Sequence, residues 1–113
     1  MELLDALRRE GADVDGALTR FMGDKALYEK FLRKLPGDEN YAELVSAIRR
    51  KDAEAIFRHA HTLKGLYGTL GLTKLFETVS ALTERSRHGE AEGCDVLLAQ
   101  LVRDYEKFEE LLG

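Results

Sequence analysis

Apolar residues recur at spacings of three and four along almost the whole chain, interrupted at short intervals by glycine, proline or aspartate. That period belongs to helices that each bury one face; apolar residues in a half-buried strand would alternate. Leu3, Leu4 and Leu7 open the series in a short helix that ends near Gly11. Asp13 reads as the N-cap of a second short helix with Val14, Ala17, Leu18 and Phe21 on one face. Gly23 and Asp24 read as stop and start, and Leu27, Phe31 and Leu35 carry the stripe on to the break at Pro36-Gly37-Asp38. A helix from about Glu39 to Arg50 turns Leu44 and Ile48 inward. Asp52 caps the next, which reaches about Leu70 and ends at Gly71. Another runs from about Thr73 to His88 on Leu75, Phe76, Val79 and Leu82, with Gly89 as its C-terminal cap. The last spaces Cys94, Leu97, Leu98, Leu101, Tyr105, Phe108 and Leu112. Core packing is expected of every stripe. Long consecutive helices with short turns predict an all-α fold, an antiparallel four-helix bundle with one or two short N-terminal helices.

The 113 residues suit a single domain over 1–113, with 44% hydrophobic and 34% charged residues. One proline and no tryptophan, among many Leu, Ala, Glu, Lys and Arg, favour helix. No apolar run reaches the roughly 18 residues of a membrane span, and the N-terminal residues lack a signal-peptide core. Cys94 is alone, so no internal disulfide is expected and a reducing cytoplasm is the natural setting. The net charge of -4 argues against non-specific nucleic-acid binding.

One helix departs from the pattern of the others. Between Ala53 and Leu70, residues Ile56, Ala60, Leu63, Tyr67 and Leu70 fall on one side at about 100° per residue. His61 lies close to the opposite side. Its neighbours there are Phe57 and Arg58 before it, and Lys64, Gly65 and Gly68 after it. Glycine inside a helix costs roughly 1 kcal/mol relative to alanine, so stability alone would not place two of them here. Their expected effect is access: they remove side chains one and two turns beyond the imidazole. Lys64 and Arg58 add positive charge on either side.

A free imidazole, with a pKa of about 6.5, is largely neutral at pH 7 and can attack phosphorus. Lys64 can screen the charge of the phosphoryl group that arrives. The chain offers neither Mg²⁺ ligands nor a nucleotide cradle, so a partner must bring both. His59 sits roughly 160° around the helix from His61, at the margin of the apolar stripe, and reads as structural. His88 stands in a last turn before Gly89, where a cation favours the helix dipole. Phe57 reads equally as a core-edge residue and as a docking surface.

Residues 61 to 71, HTLKGLYGTLG, resemble the signature of histidine-containing phosphotransfer (HPt) domains: His, a hydrophobic residue at the second position after it, Lys at the third and Gly at the fourth. His61, Leu63, Lys64 and Gly65 fit, and Gly68 and Gly71 match the small positions beyond. The resemblance extends more loosely over most of the chain. It implies a four-helix bundle with an exposed phosphoaccepting His61. It also implies receiver-domain partners, in response regulators or hybrid histidine kinases, whose aspartate gives or takes the phosphoryl group. No cofactor of the chain's own is implied; Mg²⁺ is expected on the partner receiver. Tyr67 stands where a small residue is usual and Thr69 where Asn is frequent. Tyr67 lies on the predicted core side and bears on packing more than on chemistry.

The sequence reading is therefore a monomeric phosphocarrier, without kinase motifs, relaying phosphoryl groups between receiver aspartates. The alternative is an isolated phosphoacceptor domain of a chemotaxis-type histidine kinase, where a similar His-Thr-Leu-Lys-Gly run occurs. A metal bundle of the Glu-x-x-His kind is disfavoured, because the residues three before the histidines are Ile56, Arg58 and Arg85. An adaptor with a vestigial histidine is disfavoured by the intact His61-Lys64-Gly65 run.

Overall fold

The computed structural model describes residues 2–113; Met1, part of the single unit expected over 1–113, lies outside them. The described residues form seven α-helices: α1 (Leu3–Arg9), α2 (Val14–Arg20), α3 (Lys25–Lys34), α4 (Glu39–Arg49), α5 (Ala53–Thr69), α6 (Thr73–Ser86) and α7 (Cys94–Leu112). A 3-10 turn over Leu35–Gly37 joins α3 to α4. Successive helices α4 to α7 pack side by side and α7 closes back on α4, which makes the four-helix bundle. The three preceding helices, two of them only seven residues long, join it through α1 against α7 and through α3 near the C-terminal end of α5.

Aspartate starts four of these helices. The side chains of Asp13, Asp24, Asp38 and Asp52 accept hydrogen bonds from the backbone N–H of Gly16, Leu27, Asn40 and Ala55. Each satisfies a donor that the first turn leaves open, worth about 1 kcal/mol. Helix ends are marked as sharply. Gly71 adopts φ +70°, and a Cβ there would run into the Asp13 carbonyl, so glycine is required at that corner. The Asp13 N–H donates to the Gly71 carbonyl at 2.8 Å, which ties the start of α2 to the end of α5.

The core follows the predicted stripes in α4 to α7. Leu44 and Ile48, all five stripe residues of α5, Leu75, Val79 and Leu82, and Leu101, Tyr105 and Phe108 are buried. A fully buried apolar side chain of this size contributes about 1.5–3 kcal/mol, so the bundle is held chiefly by this face-to-face burial. Phe76, Leu97, Leu98 and Leu112 are half-buried at its edge.

Two expectations are corrected. The stripe of α3 is not Leu27, Phe31 and Leu35: Leu27 is 38% and Phe31 47% exposed, while Tyr28 and Leu32 are fully buried alongside Leu35. Both triplets have helical spacing, and one residue of shift turns the helix by about 100°. Tyr28 decides it, because its hydroxyl reaches inward and donates to the Leu70 carbonyl at 2.6 Å. Helix α6 ends at Ser86, two residues before His88. His88 therefore lies in the following turn, closed by the Gly89 N–H donating to the Ser86 carbonyl at 3.0 Å.

Candidate functional site

Helix α5 is the central element: it packs against both α4 and α6, and buries Ala55, Ile56, Ala60, Leu63 and Tyr67. Its outward face carries His61, which is exposed, while Leu63 is fully buried. The imidazole has different neighbours on its two sides. One turn before it, the half-buried Phe57 ring lies nearly parallel to it, at 13°, with centroids 5.7 Å apart. One turn after it, a Cβ placed on Gly65 would meet nothing within 4 Å. Approach is therefore open from the Gly65 side.

Lys64 is half-buried and Arg58 exposed, each one turn from His61. Neither forms an ion pair among the described residues, whereas other surface cations such as Arg8 and Arg87 do. Their charge is free for an incoming anion.

The structure separates the two glycines. Gly65 borders open space, but a Cβ on Gly68 would stand 3.2 Å from the Phe76 ring. Bare backbone at position 68 thus lets α6 approach α5. The Gly68 and Thr69 carbonyls, among the last of α5, accept from the Arg20 guanidinium at 2.8 and 3.0 Å. The Gly68 carbonyl also accepts from the Gly71 N–H at 3.2 Å, so Arg20 satisfies chiefly the Thr69 acceptor that the helix C-terminus leaves open.

His59 is placed quite differently from His61. It is half-buried, and its Nδ1 shares a 2.9 Å hydrogen bond with Asn40 Oδ1. The Asn40 amide nitrogen is committed to Asp38 at 2.9 Å, so its oxygen faces His59 and the His59 Nδ1–H donates. This ring links α4 to α5. His88 is exposed in its turn, away from any helix face.

Arg20 and Arg87 escaped the sequence reading. Arg87, at the end of α6, holds its guanidinium 5.3 Å from the Phe57 ring centroid and pairs with Glu84 at 3.0 Å. Nothing in the local sequence marks either arginine, because each meets α5 only through the packing of a separate helix. Among the described residues, no group of three His, Cys, Asp or Glu side chains comes together to hold a metal ion. No helix among them is long and apolar enough to cross a membrane.

An exposed imidazole opposite the core of a bundle helix, with Lys and Gly one turn on, is the arrangement that the signature at 61–71 implies. The Hpt domain family model matches residues 26–111. The chain belongs to the Hpt domain family. No curated protein and no solved structure gives a significant match. Hpt domains are helical bundles that carry out histidine phosphotransfer in phosphorelays and interact with receiver domains. The matched span takes in α4, α5 and α6 entire and nearly all of α3 and α7, leaving α1 and α2 outside it.

Proposed function

We propose that this Hpt domain is phosphorylated on His61 and relays the group between aspartates of receiver domains, in response regulators or hybrid histidine kinases. The observation that carries the proposal is the exposure of His61 on a helix face left open at Gly65, beside an unpaired Lys64. The unprotonated ring nitrogen attacks the phosphorus of a receiver aspartyl phosphate. An N–P bond forms, the P–O bond to the aspartate breaks, and its electron pair stays on the carboxylate. The proton on the other ring nitrogen remains or passes to water. Transfer to the next aspartate runs the same steps in reverse.

Lys64 supports this by screening the phosphoryl oxygens, the usual service of a cation in phosphoryl transfer. Arg58 adds to the field that meets an anionic partner site. Mg²⁺ belongs on the receiver, and the relay operates in the cytoplasm with the protein as a monomer.

Incubation with a phosphorylated receiver domain should place one acid-labile, base-stable phosphoryl group on the protein. Incubation with ATP and Mg²⁺ alone should leave it unlabelled; robust self-labelling would contradict a pure carrier. Lys64→Ala should slow transfer several-fold without abolishing it, since one partly exposed cation contributes modestly.

A further inference from the structure

Among the described residues, His59 is the one histidine whose ring has a side-chain hydrogen bond; the His61 ring has none. Nucleophilic and acid–base histidines are ordinarily oriented through a hydrogen bond to the second ring nitrogen. Without one, an exposed helical histidine has two accessible χ1 wells and a broad χ2. Such a ring spends much of its time away from the line of attack. In-line transfer needs the nitrogen held near phosphorus in a narrow range of geometries.

What the His61 ring does have is Phe57. The two planes are 13° apart with centroids 5.7 Å apart, an offset parallel stack. Phe57 in turn has a cationic neighbour from the next helix. It is half-buried, and the Arg87 guanidinium at the end of α6 lies 5.3 Å from its centroid. Arg87 also pairs with the exposed Glu84 at 3.0 Å. The imidazole thus rests on an aromatic face on one side and borders the open space at Gly65 on the other.

We infer that Phe57 is a positioning residue for phosphotransfer: its ring, flanked by Arg87, holds the His61 imidazole in one orientation and takes the place of the missing hydrogen bond. The inference rests on His61 being the phosphoacceptor. An aromatic face suits the task because it fixes the ring plane and leaves both nitrogens free, one to attack and one to keep its proton.

The test combines spectroscopy with transfer kinetics. In the wild-type protein, the Phe57 and His61 ring protons should show direct NOEs, and the His61 Hα–Hβ couplings should be those of a single rotamer. Rotamer-averaged couplings in the wild-type protein would overturn the inference without any variant. Phe57→Leu keeps an apolar side chain and should average the couplings. It should also lower the maximal transfer rate several-fold, short of the roughly 100-fold that a fully misplaced reacting group can cost, with the half-saturating receiver concentration unchanged within about twofold. Phe57→Tyr restores the aromatic face and should restore both. A loss seen only in half-saturation would make Phe57 a docking contact, and a folded Phe57→Leu protein with wild-type transfer would also refute the positioning role. His61→Gln runs alongside: labelling of that variant would remove the phosphoacceptor assignment itself, a failure distinct from either result at Phe57.

Discussion

Gly68 and Phe76 occupy one space: a Cβ at position 68 would lie 3.2 Å from the Phe76 ring, so the missing side chain lets α6 close on α5. Seven residues earlier on α5 stands His61, about 10 Å away along the axis. Gly65, between them, faces nothing within 4 Å. The pair separates access from packing. Gly65→Gln should fold as well as wild type or gain up to about 1 kcal/mol, while transfer falls because a side chain now stands beside the imidazole. Gly68→Gln should lose about 1 kcal/mol net, since crowding Phe76 outweighs the gain in helix propensity. Urea unfolding and receiver transfer measured on both variants check this. Wild-type transfer by Gly65→Gln would remove the access role.

Tyr67 is fully buried, and its hydroxyl has no hydrogen-bond partner among the described residues. Burial, with the Tyr105 and Tyr41 hydroxyls nearby, pushes its ionisation well above the ordinary tyrosine range. A buried hydroxyl without a partner has lost its water and gained nothing in return. Tyr67→Phe should therefore stabilise the fold by about 1 kcal/mol and leave transfer unchanged, read from the urea midpoint. A loss of 1 kcal/mol or more would mean that the hydroxyl is satisfied after all.

Alkaline stability should depend on Tyr28. Burial, opposed by the charge of Arg20, raises its pKa from 10.0 to about 12. The folded protein then holds this proton more tightly than the unfolded chain does. The contribution of this group is unchanged below pH 10 and is lost as pH rises from 10 towards 12, by up to about 2–3 kcal/mol. Urea unfolding between pH 8 and 12 should show the decline, and Tyr28→Phe should make it shallower. An unchanged slope would assign the loss to other groups.

Much of the bundle was legible because its signals are local. Aspartate caps, glycine stops and the stripe Ile56, Ala60, Leu63, Tyr67 are written within one turn of where they act. The face of α3 was not, since Leu27-Phe31 and Tyr28-Leu32 have the same spacing and only contact with the end of α5 distinguishes them. At the candidate site, the outward placement of His61 followed from helix period alone. The stacking of Phe57 on it was within reach of the four-residue spacing, but the contact with Arg87 was not, because it depends on how α6 meets α5. The same holds for Gly68, whose partner Phe76 comes from the next helix.

His61 and His59 stand two residues apart, one exposed and one hydrogen-bonded to Asn40. Labelling of the two Gln variants by a phosphorylated receiver domain, with circular dichroism as the folding check, separates them directly. His61→Gln should remain helical and take up no phosphoryl group, because its side chain makes no core contact. His59→Gln should still be labelled, with some loss of stability from the altered link to α4. A folded His61→Gln protein labelled like wild type, or labelling lost only in His59→Gln, would contradict the assignment of His61.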